Sequence, residues 1–190
     1  MRFIPGLATF PLAAAAIVAC SGSSPTDASG GSSVLRERDG NVEELAHVAP
    51  RCAGKTATIY VGHPGGGSVT PNGAGGYNFV GTSGRDVIVG SAGPDHIRSL
   101  GGNDWVCGGD GNDRIFTFEG NDEVFAGAGD DHVETGPGRD HIEGGDGNDN
   151  LFGADGDDRV EGARGVDTND GGPGKDLCND PEGGEFSNCE

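Results

Sequence analysis

From residue 81 to residue 179 the chain holds a nine-residue phase without one insertion or deletion. Eleven units follow one another: GTSGRDVIV, GSAGPDHIR, SLGGNDWVC, GGDGNDRIF, TFEGNDEVF, AGAGDDHVE, TGPGRDHIE, GGDGNDNLF, GADGDDRVE, GARGVDTND and GGPGKDLCN. Position 4 is Gly in all eleven, from Gly84 to Gly174. Position 6 is Asp in all eleven: Asp86, Asp95, Asp104, Asp113, Asp122, Asp131, Asp140, Asp149, Asp158, Asp167 and Asp176. Position 8 is aliphatic nine times, from Ile88 to Val160, and then fails at Asn169 and Cys178. A disordered acidic segment would not keep such a phase.

Each unit reads as a turn followed by a short strand. The glycines of positions 1 to 6 admit positive φ and close backbone approach. Positions 7 to 9 form a strand with only its middle residue pointing inward. Two units then make one coil, with odd units stacked in one parallel sheet and even units in the other. Like turns lie about 4.8 Å apart along the stack. Carboxylate and carbonyl oxygens converging between them suit a hard cation with six to eight oxygen ligands, Ca²⁺ before Mg²⁺. Six odd and five even turns leave 5 + 4 = 9 intervals, hence at most nine internal sites.

The pattern resembles the glycine-rich nonapeptide of RTX proteins, a calcium-binding repeat. The likeness covers residues 81–179, with three fixed positions in unbroken register. It implies an all-β fold, a right-handed parallel β-roll of eleven nonapeptides with a short irregular amino-terminal cap. It also implies that the eleven position-6 aspartates are metal ligands and that several Ca²⁺ ions are the cofactor.

Composition points the same way. With 39 Gly, 6% aromatic residues and a net charge of −19, the 190-residue chain lacks the means for an ordinary globular core. Eleven inward side chains do not offset the ordering of so glycine-rich a backbone. Carboxylates stacked about 4.8 Å apart also repel one another, by roughly 1 to 3 kcal/mol per pair. The metal-free chain is therefore expected to be disordered, with calcium binding and folding a single event. The negative charge excludes nucleic acid and anionic lipid surfaces as partners.

Residues 1–19 read as a signal: Arg2 precedes an apolar run too short to span a membrane. The run ends Ile17-Val18-Ala19-Cys20, which resembles a bacterial lipobox, and that likeness implies cleavage before Cys20 and its lipidation. The competing reading is an ordinary secretory signal cut after an alanine, which Ile17 fits poorly. Ser21, where Asp favours inner-membrane retention, points to an outer-membrane or surface address. Acyl chains would hold the protein on a bilayer without a transmembrane helix. Residues 20–33 form the lipidated cysteine and a flexible linker. Residues 34–80 form a cap segment, with one short helix expected where Asn41 caps and Glu44 lies three residues on. The phase extends back imperfectly, with Gly75 at position 4, Phe79 at position 8 and Tyr77 in place of Asp. Such an atypical unit suits the start of a solenoid. Residues 180–190 close the other end.

No catalytic constellation emerges, and the chain reads as a non-enzyme. His96, His132 and His141 all stand at position 7, but His132 and His141 fall on opposite sheets. His96 and His132 are two coils, about 10 Å, apart. Neither a zinc triad nor a Ser-His-Asp set can be built from such rows. The His47 of the cap segment reads as a solvated or packing residue. The odd sheet presents Val87, Val89, Trp105, Cys107 and Phe125 outward, with Leu100 and Phe118 in nearby turns. This apolar patch is either a docking surface or the seat of the cap.

The leading function is calcium binding by an envelope-anchored lipoprotein whose roll is a structural or interaction module. Alternatives are a calcium-dependent adhesin or glycan-binding module, with Trp105 as contact, or a repeat domain derived from a secreted hydrolase or toxin. In proteins of that last kind a large catalytic or pore-forming region precedes the repeat. No protein or glycan partner can be named.

Four cysteines remain besides Cys20: Cys52, Cys107, Cys178 and Cys189. In an oxidising compartment they permit three connectivities. In the roll Cys107 and Cys178 share a sheet but lie four coils, about 19 Å, apart, beyond the roughly 7 Å a disulfide spans. Of the two pairings left, Cys52–Cys107 with Cys178–Cys189 is local at each end and is the one expected.

Overall fold

The computed structural model describes residues 51–62 and 65–190. The expected signal, Cys20, linker, short helix and His47 lie outside them. Three strands belong to the cap: β1 (Arg51–Cys52), β2 (Lys55–Thr56) and β3 (Ser68–Pro71). One parallel stack contains β4 (Tyr77–Val80), β6 (His96–Arg98), β8 (Arg114–Phe116), β10 (His132–Glu134), β12 (Asn150–Phe152), β14 (Thr168–Asp170) and β16 (Glu185–Ser187). The other contains β5 (Val87–Val89), β7 (Trp105–Asp110), β9 (Glu123–Ala128), β11 (His141–Asp146), β13 (Arg159–Arg164) and β15 (Leu177–Asn179). Among the described residues there is no helix. The fold is the expected parallel β-roll.

The register follows from the repeat. Val106 pairs with Val124, and Ile142 with Val160, each eighteen residues on. The position-8 side chains from Ile88 to Val160 form a single core, all inaccessible to solvent. β-Branched residues, which hold eight of the nine places, suit the row because each packs against aliphatic neighbours above and below on a pleated surface. Asn169 continues the row but is buried with both amide atoms unpartnered, which marks the end of good packing.

Two details differ from the expected unit. The four inner odd strands run six residues, through the first three positions of the following unit, whereas the outer odd strands β5 and β15 and the even strands of the repeat keep the three-residue length. The cap is also more regular than its sequence implies. β3 and β4 form an antiparallel hairpin, and β4 joins the even stack with Phe79 against Ile97 in the core. In the odd stack Ile59 bridges to Ile88 and is fully buried. Each column thus begins with one unit lacking the aspartate.

The cap covers the apolar patch. Cys52, Ala57 and Tyr60 pack on Val87, Val89, Cys107, Trp105 and Phe125. The patch is smaller than expected, because Phe118 is 40% exposed and instead meets Arg98 of the even sheet across its ring face. Disulfides join Cys52 to Cys107 and Cys178 to Cys189, with Cα–Cα distances of 5.7 and 5.6 Å.

Candidate metal centre

Every position-6 aspartate is buried, from Asp86 at 5% exposure to Asp95, Asp104 and Asp176 at 0%. The strand geometry aims each of them into its turn, where a ladder fixes one oxygen. The backbone N–H of Asp86 donates to Oδ1 of Asp104 at 2.8 Å, and that of Asp95 to Oδ1 of Asp113 at 2.8 Å. The same bond recurs coil by coil as far as Oδ1 of Asp176. A second ladder ties the turns in the opposite sense. The position-5 N–H groups of Asn121 and Arg139 donate to Oδ1 of Asn103 and Asn121 in the coil before.

The second carboxylate oxygen divides the aspartates into two groups. Oδ2 of Asp104, Asp113, Asp122, Asp131, Asp140, Asp149, Asp158, Asp167 and Asp176 is buried without a partner in hydrogen-bond geometry, although the position-1 hydroxyls of Ser99, Thr117 and Thr135 lie near enough to Asp104, Asp122 and Asp140 to lower them slightly against the effect of burial. A buried, unpartnered carboxylate oxygen is costly. Oδ2 of Asp86 and of Asp95, by contrast, accepts the backbone N–H of Thr82 and of Ser91. The turn conformation explains the difference. Position 2 stands at positive φ in every unit from Leu100 (79°) to Gly172 (88°), whereas Thr82 and Ser91 do not.

Glycine keeps the space in front of the oxygen open where it holds position 1, at Gly108, Gly144, Gly153, Gly162 and Gly171, whereas Ser99, Thr117, Ala126 and Thr135 stand there in the other four units. At position 1, a methyl group on Gly153 would lie 2.6 Å from Oδ2 of Asp158 and 2.8 Å from the carbonyl oxygen of Gly171. Those two oxygens face one small volume. At position 4, a methyl group on Gly120 would overlap the Gly102 carbonyl of the preceding coil. That steric exclusion, by backbone of the preceding coil, accounts for the glycine column from Gly93 to Gly174, while Gly84 has room for a side chain.

The electrostatics mark the same residues. Burial pushes Asp113 up to about 8, against the backbone N–H of Asp95, with Asp131 and Asp95 adding like-charge repulsion. Burial likewise raises Asp131, Asp140 and Asp149 to about 7, and Asp104 and Asp158 to about 6. Asp95, Asp122 and Asp167 are raised for the same reason. A fold that withholds solvation from stacked carboxylates needs either protons or cations there. Oxygen-only donors, two of them visibly convergent, fit a hard divalent cation. Among the described residues no three His, Cys, Asp or Glu side chains cluster as a metal site. One carboxylate per turn with backbone carbonyls is the donor set that this repeat offers.

The histidines do not assemble. His96 contacts Arg114, His132 lies between the rings of Phe116 and Phe152, and His141 stands on the other sheet between Glu123 and Glu161. Sequence reasoning missed Thr82 and Ser91, although hydroxyl residues occupy position 2 only in the first two units. It also missed a buried hydroxyl row at position 1. There Thr117 Oγ1 donates to the Thr135 carbonyl at 3.1 Å, and Thr135 Oγ1 to that of Gly153 at 3.0 Å.

A family model described as RTX calcium-binding nonapeptide repeat matches residues 80–115, 101–133, 108–142, 116–151, 134–168 and 143–178. These overlapping stretches span residues 80–178, more than half of the 190-residue chain. No curated protein and no solved structure matches the chain.

Proposed function

Because the chain belongs to the family of RTX calcium-binding nonapeptide repeat proteins, we propose that it is an envelope-anchored module whose roll folds on Ca²⁺ and carries out no catalysis. Membership makes it a calcium-binding protein built on a structural repeat. One observation supports the choice of ligands: nine buried Oδ2 atoms, from Asp104 to Asp176, lack a partner in hydrogen-bond geometry. Their number equals that of the intervals between like turns. On this reading each of the nine carboxylates supplies an oxygen to one Ca²⁺, with backbone carbonyls of adjoining turns completing the shell. Calcium supplies the positive charge that lets these groups stay buried and ionised.

The remaining assignments rest on sequence. Residues 1–19 act as a lipoprotein signal, Cys20 bears the lipid, and residues 20–33 tether the folded part to the outer membrane or cell surface. Residues 34–80 serve as the amino-terminal cap, 81–179 as the roll and 180–190 as the carboxy-terminal cap. The sheet faces then serve as a structural or interaction surface. Trp105 is a poor glycan platform, because the Lys55 ammonium lies 4.8 Å from its ring centroid and the cap packs beside it.

The test is a calcium titration of the chain beginning at Ser21, followed by circular dichroism and by native mass spectrometry. Conversion from coil to β-structure with up to nine bound Ca²⁺, poorly reproduced by Mg²⁺, is the expected result. An unchanged β-spectrum in excess chelator overturns it. For the anchor, a Cys20→Ser variant should leave the detergent-soluble envelope fraction; continued labelling of that variant by a palmitate analogue would place the lipid elsewhere.

A further inference from the structure

The nine open turns are preceded by two that close themselves. In the odd column, Oδ2 of Asp86 accepts the N–H of Thr82 at 2.7 Å and its hydroxyl at 2.9 Å. In the even column, Asp95 accepts the N–H of Ser91 at Oδ2 (2.6 Å) and its hydroxyl at Oδ1 (2.9 Å). Oδ1 of Asp95 also takes the N–H of Tyr77 at 2.6 Å. These carboxylates therefore have the hydrogen bonds that a buried acid requires, from residues of their own coil and cap. From the third unit on, position 2 is never Ser or Thr, its φ is positive, and Oδ2 has no partner in hydrogen-bond geometry.

The packing is also more complete at this end than at the carboxy-terminal one. Ile59 and Phe79 fill the core below Ile88 and Ile97. The N–H of Thr58 donates to the Val87 carbonyl at 2.7 Å, and that of Val87 to Thr58 Oγ1 at 2.9 Å. At the other end Asp180 is likewise satisfied, by the N–H groups of Glu182 and Gly183. There, however, the core holds Asn169 with an unpartnered amide, and Leu177 and Phe186 are 62% and 49% exposed.

We infer that Thr82 and Ser91 make the first turn of each column a metal-independent end, from which calcium-driven folding propagates toward the carboxy terminus. The inference rests on the calcium-folded reading above and gives it a direction. That direction follows from the ladder. Oδ1 of Asp104 is held by the N–H of Asp86, and Oδ1 of Asp122 by that of Asp104. A carboxylate is thus aimed only when the coil before it is already formed, and the first coil, residues 81–98, needs no cation to form. Addition of units to a preformed end is the nearest-neighbour behaviour of a solenoid.

Hydrogen exchange read by mass spectrometry on the chain beginning at Ser21, in chelator and after a calcium jump, tests this. In chelator, amides of residues 77–98 should exchange at least about tenfold more slowly than those of 114–177, the effect of charge-assisted hydrogen bonds that persist. After the jump, protection should reach 105–116 before 159–170. Thr82→Ala with Ser91→Ala should abolish the protection in chelator, while Thr82→Ser with Ser91→Thr, which keeps both hydroxyls, should restore it. Should the alanine pair fail to fold even in calcium, rescue by the hydroxyl-keeping pair still supports the inference and failure of that rescue overturns it. Absence of protection at 77–98 in chelator, or carboxy-terminal coils protected first or simultaneously, overturns the inference and leaves calcium-dependent folding standing. Protection of the whole chain in chelator overturns calcium-dependent folding itself, and the propagation with it.

Discussion

The backbone N–H of Asp113 donates to Oδ1 of Asp131 at 2.7 Å, while Oδ2 of Asp131 is buried with no partner. One oxygen of the carboxylate therefore joins two coils, and the other is left for a cation. Asp86 stands differently, since Thr82 satisfies its Oδ2 and no aspartate turn precedes it. Asp131→Ala should lower stability in saturating calcium by about 2 to 3 kcal/mol, the worth of a charged hydrogen bond and its ligand. Asp86→Ala should cost about 1 kcal/mol, as the loss of a cap does. Urea unfolding in calcium measures both, and equal losses would mean that the sites do not depend on stacking.

The raised aspartates fix a pH dependence for the metal-free chain. Their ordinary value is near 3.9, whereas in the fold Asp104 and Asp158 stand near 6, Asp131, Asp140 and Asp149 near 7, and Asp113 near 8. Below about pH 4 both states are protonated and burial of these groups carries no ionisation penalty. Between pH 4 and 8 the unfolded chain releases protons that the fold retains, so stability falls as pH rises. In chelator, β-structure should be greater at pH 4.5 than at pH 7.5. Calcium affinity should move the other way, strengthening from pH 6 to 8 as fewer protons compete. Circular dichroism in chelator and calcium titrations at several pH values check the two signs.

Position 2 offers a stabilising change. Ala154 and Ala163 occupy it at φ 70° and 79°, where an L-residue pays roughly 1 to 2 kcal/mol that glycine does not. Glycine's larger chain entropy returns part of this. Ala154→Gly and Ala163→Gly should each stabilise the calcium-bound roll by about 1 kcal/mol, measured by urea unfolding. Gly145→Ala should destabilise it, because the added methyl group would also collide with the Gly127 carbonyl.

The coil stack was legible because a fixed period leaves no choice of register. Once Ile88 and Val106 both point inward, every eighteenth residue must follow. The convergence of the position-6 aspartates was legible for the same reason. The separation of Asp86 and Asp95 from the other nine was not read, since it depends on the φ of position 2, of which the hydroxyl residues Thr82 and Ser91 were the sole trace in the sequence. Phe118 was misplaced because a turn residue at positive φ swings its ring toward the neighbouring sheet, here onto Arg98. The regularity of β4 was partly hidden by Tyr77, which occupies an aspartate position in a unit that closes by hydrogen bonds to Asp95.

The chain has one tryptophan, and it reports on the cap. Trp105 lies beside Cys107, whose bridge to Cys52 holds the β1–β2 hairpin against the odd sheet. That bridge spans 55 residues, and the Cys178–Cys189 bridge spans 11. In the chain-entropy account the losses on removal are about 4 and about 3 kcal/mol. Stability alone therefore separates the two bridges poorly, whereas fluorescence separates them well. Cys52→Ser with Cys107→Ala should free the hairpin, withdraw Lys55 from the indole and shift Trp105 emission to the red in calcium. Cys178→Ala with Cys189→Ser should leave the emission unchanged while loosening β15 and β16, seen as faster exchange at residues 177–187. A red shift of the same size in both variants would mean that the cap is held by the roll as a whole and not by its own bridge.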